Sequence, residues 1–407
     1  MANCIIAQSG GPTSVINSSV VGLVEANHNL NAFDTVYGGL HGIEGILNKK
    51  FINLSDVSQS KLDIFKYTPS SGLGSCRYKL KSHTESLEEY ENLMEIFKEL
   101  DIKAFFYVGG NDSMDTISKL SAYGKEYNID IKFIGIPKTI DNDLVYTDHT
   151  PGFGSAAKFI STTVLETNYD ASVYMNNGIF ILETMGRDTG WLAASAALAK
   201  ENGSSAADFI YLPEKPFVVG KFLEDVNTRF KEKNRVYVVA SEGLINEQGD
   251  FLAQINPLGL HDNFGHAQLG GVGNYLKSTI VDAGITTRVK ALELGILQRC
   301  SMHSASDLDI DEAYQVGYDA LKYALEGLTG MMVAIKRESA NTPYEYSTFP
   351  IETTKVANKV KYFPSEWINE VGNHVTEKAL DYLNPLISGN PSLHFENSLP
   401  KYKAFNK

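Results

Sequence analysis

One unit, repeated along the first two-thirds of the chain, most constrains the fold: a short apolar strand, a Gly-rich turn and an amphipathic helix. Strands are predicted at residues 3–7, 103–108, 132–136, 178–182 and 235–240. Helices are predicted at residues 13–27, 87–100, 114–127 and 191–200, and residues 277–297 are expected to be largely helical and then to form a strand. Strands that alternate with helices at this spacing predict a doubly wound α/β architecture.

The composition favours a two-lobed protein without a membrane span. Of 407 residues, 43% are hydrophobic, which is ample for a core and suits two lobes better than one. No run of about 18 apolar residues is present, and the strand pattern begins at once at Asn3, which leaves no room for a signal peptide. Three scattered cysteines without a C-x-x-C pair favour reduced thiols in a cytoplasm and argue against structural zinc.

The net charge narrows the class of ligand. A formal charge of −13 disfavours nucleic acid or an anionic membrane as the main partner. An acidic protein can still bind anionic substrates, but only through locally placed cations and backbone N–H groups. The positions of isolated Arg and Lys residues therefore carry the functional argument.

Residues 134–143 read I-G-I-P-K-T-I-D-N-D and place polar groups directly after a buried strand. In open parallel sheets, ligands bind beyond the carboxyl ends of the strands. Asp141 and Asp143 would share a face in an extended chain, where one could take a proton from a hydroxyl and the other could help to hold a hard cation. Lys138 and Thr139 stand beside them. The alternative is a polar turn whose charges are only solvated.

Other Gly-rich turns follow the other predicted strands. Ser9-Gly10-Gly11-Pro12-Thr13 can bring backbone N–H groups to an anion, although it lacks the pattern of a Walker A loop. The remaining polar strand ends are G-G-N-D-S at 109–113, M-G-R-D-T-G at 185–190 and S-E-G at 241–243, with Arg77, Arg288 and Arg299 as further cations. Each alone fits a helix cap, a tight turn or a surface ion pair. Together they suit phosphoryl transfer to a sugar hydroxyl.

The ordered set S-G-G-P, G-S-C-R-Y, G-G-N-D-S, P-K-T-I-D-N-D, M-G-R-D-T-G, S-E-G and L-Q-R-C resembles the phosphofructokinases over residues 3–340. The resemblance implies two doubly wound, Rossmann-like lobes with the active site in the cleft between them. It also implies Mg²⁺-assisted phosphoryl transfer to the 1-hydroxyl of fructose 6-phosphate. We expect a donor lobe at residues 1–145, completed by part of 300–365, a sugar-phosphate lobe at 146–299, and a C-terminal helix and irregular tail at 366–407.

The resemblance implies roles for individual residues. Asp141 resembles the general base, Asp143 the neighbouring metal-site carboxylate and Thr139 a ligand of the transferred phosphoryl group. Sugar-phosphate contacts are implied for Met185, Gly186, Arg187, Glu242 and Arg299, with Arg187 also stabilising the transition state. Donor-side contacts are implied for Gly11, Arg77 and Gly110. Arg288 resembles an arginine that reaches the 6-phosphate from a neighbouring subunit, so we expect a homodimer or homotetramer.

Two positions indicate the phosphoryl donor. Asp112 stands where ATP-dependent members commonly have Gly, and its side chain would occupy and repel the space of an α-phosphate. Lys138 resembles the lysine that pyrophosphate-dependent members pair with this Asp, and its ammonium can neutralise pyrophosphate. We therefore expect pyrophosphate as the donor, with Asp112 also near the metal. The alternatives are an ATP-dependent phosphofructokinase and a non-catalytic regulatory chain.

Three positions depart from the family pattern. Asn111 replaces a common Asp, which weakens a direct metal role there. Ile296 stands where some members have a His near the sugar phosphate, and Gly178 stands where bacterial ATP enzymes have an intersubunit Arg. No long regulatory domain is present, so weak or no nucleotide allostery is expected.

Overall fold

The computed structural model describes residues 2–175, 177–252, 269–339 and 343–406. The chain divides into two compact units. Unit 1 comprises Met1–Ser155, Arg299–Val360 and Ser388–Lys407, and unit 2 comprises Ala156–Gln298 and Lys361–Ile387. Among the described residues, no helix is both long and apolar enough to cross a membrane.

The described part of the chain contains the following strands and α-helices. The strands are β1 (Asn3–Gln8), β2 (Val36–Gly39), β3 (Phe51–Asn53), β4 (Ile102–Gly109), β5 (Lys132–Pro137), β6 (Ile179–Thr184), β7 (Lys200–Glu201), β8 (Ser204–Ser205), β9 (Phe209–Tyr211), β10 (Val236–Ser241), β11 (Val289–Glu293), β12 (Met331–Ser339), β13 (Glu345–Glu352), β14 (Phe395–Glu396) and β15 (Leu399–Pro400). The helices are α1 (Ile16–Leu30), α2 (Gly42–Leu47), α3 (Gln59–Lys66), α4 (Leu87–Glu99), α5 (Asn111–Glu126), α6 (Phe153–Ala171), α7 (Trp191–Ser195), α8 (Val219–Lys233), α9 (Val272–Asp282), α10 (Asp307–Leu325), α11 (Thr353–Val356) and α12 (Glu377–Leu383).

Unit 1 is built on a seven-stranded sheet in the order β13-β12-β5-β4-β1-β2-β3. The strands from β12 to β2 run parallel, and β13 and β3 are antiparallel edges. The inner strands are almost continuously apolar and buried, as expected for a sheet covered on both faces. Because β5, β4 and β1 are neighbours, the Gly-rich and polar turns that follow them leave the same edge of the sheet side by side.

Unit 2 contains a four-stranded sheet in the order β11-β6-β10-β9, and all its pairs are parallel. Ile179 pairs with Val236 and Thr184 pairs with Ser241, so β6 and β10 end in register. The turns at 185–190 and 241–243 therefore emerge next to each other. The expected α/β class is confirmed, and both sheets have the mainly parallel order of Rossmann-like lobes.

The five predicted strands are present within one or two residues of the expected bounds, and three predicted helical segments are present but differ in extent. The helix expected at 13–27 begins at Ile16, because the Val15 N–H is bonded to the Thr13 hydroxyl in a turn (3.3 Å). The helix expected at 191–200 stops after Ser195 and continues as a 3₁₀ turn. Residues 277–297 are only partly helical, since α9 ends at Asp282 and Gly284 (φ +70°) turns the chain toward β11.

The C-terminal tail beyond Ile387 is largely irregular and contains the short β14–β15 hairpin. Its Phe405 ring lies 4.8 Å from the Phe65 ring, and the Phe405 N–H donates to the Gly72 carbonyl (2.7 Å).

Helices α1 and α10 cross at close range in unit 1, and this crossing depends on two glycines. A Cβ on Gly22 would collide with the carbonyl group of Tyr314, and a Cβ on Gly317 would collide with that of Ser19. Neither obstacle is a flexible side chain, so the backbones themselves would have to separate. Small residues at these two positions therefore set the distance between the helices.

We expect Gly22→Ala to lower the free energy of unfolding by about 2–4 kcal/mol, because the helices must move apart. Chemical denaturation monitored by circular dichroism measures this change. Gly220→Ala is the matched control, since Gly220 lies in helix α8 with open space where a Cβ would stand. The control should be neutral or gain up to about 1 kcal/mol. Equal stability of the two variants would contradict the packing argument.

Candidate functional site

The turn after β1 and the loop that ends in Arg77 are hydrogen-bonded to each other in unit 1. The Gly10 N–H donates to the Cys76 carbonyl (3.1 Å), and the Ser75 hydroxyl donates to the Gly10 carbonyl (2.6 Å). Gly10 has a φ of +71°, a conformation that favours glycine. The structure thus brings together the loops that carry Gly11 and Arg77.

Lys138 is a buried cation bound to the same turn. Its side-chain ammonium donates to the carbonyls of Ser9 (2.9 Å) and Gly11 (2.6 Å), and the residue is only 3% exposed. Burial lowers the pKa of Lys138 to about 8, with Asp141 opposing this effect and Arg299 adding to it. Two of three ammonium N–H groups are engaged by these carbonyls. The third remains for another acceptor.

Residues 139–143 are folded as a turn and not as an extended strand. The Asp141 N–H donates to the Thr139 hydroxyl (3.1 Å), which lies 3.4 Å from the Asp141 carboxylate. Asn142 is fully buried and has a φ of +52°. The expectation that an extended backbone places Asp141 and Asp143 on one face is therefore wrong, because a left-handed residue separates them.

Backbone contacts on both sides fix this turn in unit 1. The Lys138 N–H donates to the Gly109 carbonyl (3.0 Å), and the Thr139 N–H donates to the Pro151 carbonyl (3.2 Å). The Thr150 hydroxyl donates to the Thr139 carbonyl (2.8 Å). The segment that carries Thr139 and Asp141 is therefore held by the end of β4 and by residues 150–151.

Residues 149–155 are held in turn by two buried carboxylates of α10. Asp309 accepts the N–H groups of Gly152 and Ser155 (both 2.8 Å) at the first turn of α6. Burial raises the pKa of Asp309 to about 6, although these hydrogen bonds oppose the shift. Glu312 follows Asp309 by three residues and lies on the same face of α10, and its carboxylate is 2.5 Å from the Nε2 atom of His149.

His149 lies in a buried chain of charged groups. Its Nδ1 atom is 2.8 Å from the Asp148 carboxylate, which Arg337 also binds, and the Tyr344 hydroxyl donates to Glu312 (2.8 Å). Burial alone would lower the pKa of His149, but the charge of Glu312 and the hydrogen bonds to both carboxylates raise it to about 9. His149 is therefore a cation at neutral pH, directly before Thr150.

The start of α5 supplies the other donor-side residues. Gly110 precedes the helix, and a Cβ there would lie 3.6 Å from the Lys138 carbonyl oxygen, so Gly110 faces the Lys138 turn. Asp112 lies in the first helical turn, where the helix dipole favours a carboxylate. The side chain of Asn111 makes hydrogen bonds to the backbone of residues 358–359. The three residues thus begin one helix but have different neighbours.

In unit 2, the turns after β6 and β10 pack together. The Gly186 N–H donates to the Glu242 carboxylate (3.3 Å), and the Ser241 hydroxyl donates to the Gly186 carbonyl (2.5 Å). A Cβ on Gly243 would collide with the Arg187 carbonyl. The Met185 N–H is fixed by the Gln298 side chain (3.2 Å). Four of the expected sugar-phosphate residues, Met185, Gly186, Arg187 and Glu242, therefore form one group.

Arg187 makes the ion pair that the sequence left open as an alternative. Its Nε atom lies 3.2 Å from the Asp188 carboxylate, and its side chain is 29% exposed. This pair uses the Nε edge of the guanidinium. The two terminal nitrogens keep the fork geometry that suits phosphate.

Arg288 lies at the other end of the unit 2 sheet. It precedes β11, and its guanidinium lies 5.8 Å from the Tyr174 ring centroid. The five residue steps from Ile179 to Thr184 separate the two ends of the sheet by about 17 Å. The structure therefore does not bring Arg288 to the Arg187 group within one unit.

Gly178 has no room for the arginine found there in bacterial ATP enzymes. A Cβ would collide with the Arg288 carbonyl oxygen and lie 3.0 Å from the Arg288 Cβ. The departure from the family pattern thus has a steric cause, because β11 approaches β6 closely at this point.

Arg299 lies with the turn after β1 in unit 1. A Cβ on Gly11 would lie 3.3 Å from an Nη atom of Arg299, and Arg299 affects the pKa of Lys138 as noted above. The chain passes from unit 2 to unit 1 between Gln298 and Arg299. Neighbouring residues of one motif therefore serve different units: Gln298 fixes Met185, and Arg299 lies beside Gly11.

Several residues that position the site were missed by sequence reasoning. Asp309 and Glu312 belong to a segment without a Gly-rich turn, the segment around His149 was not singled out, and Gln298 stood inside a recognised motif without an assigned role. The available signal in the sequence was the D-x-x-E spacing of Asp309 and Glu312, which places both on one face if the segment is helical. Nothing in the sequence indicated what that face contacts.

The fold and the grouped side chains define an α/β phosphotransferase. Residues 3–324 match the family described as phosphofructokinase. The pyrophosphate–fructose 6-phosphate 1-phosphotransferase of Halomonas elongata is 40% identical over 100% of this chain and 96% of its own length. The protein of that name from Xanthomonas campestris is 39% identical over 98% of this chain and 95% of its own.

A solved structure agrees with these relatives. The pyrophosphate-dependent phosphofructokinase from Nitrosospira multiformis superposes with a TM-score of 0.89 at 36% identity, and the match covers 98% of this chain and 95% of that chain. The chain belongs to the phosphofructokinase family. The resemblance drawn from the sequence motifs is confirmed.

We expect Glu312→Gln to lower the free energy of unfolding by about 3 kcal/mol at pH 7, because it leaves the buried His149 cation without its main partner. The folded pKa of His149, about 9, is raised above the ordinary value of 6.5. The pair therefore stabilises the fold fully below about pH 6.5 and is lost as the pH rises through 9. Denaturant titrations between pH 6 and 10 measure this dependence.

Glu326→Gln is the control for this variant, since Glu326 is an exposed carboxylate at the end of the same helix. It should leave both the stability and its pH dependence unchanged. A Glu312→Gln protein that keeps the wild-type decline between pH 6.5 and 9 would show that the pair does not act as described.

Proposed function

We propose that this protein reversibly transfers a phosphoryl group from pyrophosphate to the 1-hydroxyl of fructose 6-phosphate, giving fructose 1,6-bisphosphate and phosphate. The observation that carries the proposal is the buried Lys138 ammonium, held beside Gly11 and the Asp141 turn with one N–H group left for an anion. The names of the relatives described above agree with pyrophosphate as donor and fructose 6-phosphate as acceptor.

The acceptor chemistry is assigned to the Thr139–Asp141 turn. Asp141 acts as the general base that takes the proton of the sugar hydroxyl, and its orientation is set by the hydrogen bonds with Thr139. Thr139 contacts the transferred phosphoryl group. Lys138 offsets the charge of the pyrophosphate, and its cation is the more effective because it is removed from water.

Magnesium is the proposed metal. Among the described residues, no group of three or more His, Cys, Asp or Glu side chains could hold a metal ion alone. This fits Mg²⁺, which is commonly bound by one or two carboxylates together with substrate phosphates. Asp143 and Asp112 are the proposed carboxylates, and the ion when bound would neutralise charge on the donor phosphates.

Sugar-phosphate binding is assigned to Met185, Gly186, Arg187 and Glu242 in unit 2. Arg299, in unit 1, keeps the sugar-phosphate role that the family resemblance implies. Glu242 suits the sugar hydroxyls, and the free edge of Arg187 suits the phosphate. Arg288, about 17 Å away along the sheet, would act on a second copy of the chain. We therefore propose a homodimer or homotetramer.

The cytoplasm remains the proposed compartment, in keeping with the three free thiols.

The donor is tested with purified protein, fructose 6-phosphate and Mg²⁺, supplied with either pyrophosphate or ATP. We expect turnover with pyrophosphate in both directions and at least about 100-fold less turnover with ATP. The Asp112 carboxylate would repel the α-phosphate of ATP, and such an unfavourable contact costs several kcal/mol. Asp112→Gly should raise the relative use of ATP by removing the carboxylate from the start of α5. If the wild type turned over with ATP but not with pyrophosphate, the proposal would be overturned.

Asp141→Asn tests the catalytic assignment. We expect kcat to fall by about 10²–10⁴ with little change in either KM, since the amide keeps the shape but cannot accept the proton. Asp130→Asn is the control, because this carboxylate is 81% exposed, lies just before the amino end of β5 and has no assigned part in the chemistry. A loss of less than tenfold for Asp141→Asn would remove it from the role of base.

A further inference from the structure

The turn at residues 358–359, which lies far from α5 along the chain, is hydrogen-bonded to the start of that helix. The Asn111 side-chain amide donates to the Lys359 carbonyl, and its oxygen accepts the Asn358 N–H (both 2.5 Å). The Asn358 side chain donates to the Asp115 carboxylate, one helical turn further on (3.2 Å). Asn358 has a φ of +60°, which makes the turn tight. Three hydrogen bonds thus hold residues 358–359 against Asn111 and Asp115.

These contacts explain why position 111 is an asparagine. The site needs one donor, for the Lys359 carbonyl, and one acceptor, for the Asn358 N–H, and only an amide side chain of this size supplies both. An aspartate could accept the N–H but would direct its second oxygen at the carbonyl of Lys359. The departure from the family pattern at Asn111 is therefore coupled to this distant turn.

The turn carries an exposed cation, Lys359. Its ammonium lies 5.9 Å from the ring centroid of Tyr146, which follows Asp143 by three residues. Within the described part of the chain, that ammonium makes no ion pair or hydrogen bond. Its backbone is bonded to the residue directly before Asp112. Lys359 therefore contacts both the start of α5, which carries Asp112, and the segment that carries Asp143, the two proposed metal-site carboxylates.

We propose that Lys359 is a second pyrophosphate-binding lysine and that Asn111 is the positioning residue that holds it in place. This inference rests on the proposed function and names a further ligand for its donor. Pyrophosphate has no nucleoside, so its affinity comes from phosphate oxygens alone. Lys138 offers only one N–H group beyond the two given to carbonyls. Besides Arg77, which is also expected on the donor side, Lys359 supplies a further cation for this anion in a chain of net charge −13.

The test is steady-state kinetics of Lys359→Met with both substrates varied. We expect the KM for pyrophosphate to rise about tenfold or more, as for the loss of a charge-assisted contact, while the KM for fructose 6-phosphate stays within twofold. Lys355→Met is the matched control, since Lys355 is an exposed lysine on α11 that pairs with Glu352 (3.4 Å). It should leave both constants unchanged.

Asn111→Asp tests the positioning role, with the thermal unfolding midpoint measured for every variant. It should raise the KM for pyrophosphate in the same way, and the double variant with Lys359→Met should cost no more than the larger single change. Fully multiplicative effects would show that Asn111 does not act through Lys359.

The remaining outcomes separate this inference from the proposed function. Pyrophosphate-dependent turnover by the wild type with an unchanged KM in Lys359→Met would overturn the inference and leave the proposed function standing. An equal rise in the KM of both substrates would also overturn it, because that is the result of a general structural change. Wild-type turnover with ATP but not with pyrophosphate would overturn both the inference and the proposed function.

Discussion

A buried ammonium bonded to backbone carbonyls is the interaction on which the donor side of this protein depends. Removing a lysine from water is costly, and the carbonyls of Ser9 and Gly11 offset only part of that cost, as the lowered pKa of Lys138 shows. The bonds are possible because β5 and β1 lie one strand apart in a parallel sheet and end at the same edge. The cation thereby fixes the shape of the turn that it shares with an incoming anion.

Further buried charged groups in unit 1 support the segment next to the Lys138–Asp141 turn. Asp309 and Glu312 project from one face of α10 and hold the segment that follows the Asp141 turn. Such pairs add little net stability relative to an apolar core, but they fix geometry, because each group has one satisfactory set of partners. We infer that this network helps to fix the positions of Thr139 and Asp141, since both backbone groups of Thr139 are bonded to residues 150–151.

Sequence motifs identified the groups near the chemistry better than they identified their supports. The Gly-rich turns could be recognised in the sequence because a backbone that approaches an anion needs glycine, as at Gly10 and Gly186. The supports did not, because a buried His149 or Asp309 differs from a surface residue only in its neighbours. The extended reading of residues 139–143 was wrong for the same reason: the left-handed Asn142 is stabilised by burial, which the sequence does not display.

The sequence by itself determined the α/β class, the strands that form both sheets, the family and the residue types suited to phosphoryl transfer. These follow from periodicity and turn chemistry, which act over a few residues. Only the tertiary structure decided that Arg299 lies beside Gly11, that Arg288 is at the far end of its sheet, and that Asn111 serves a turn almost 250 residues away. Such relations depend on strand order and helix packing, and chain separation carries no information about either.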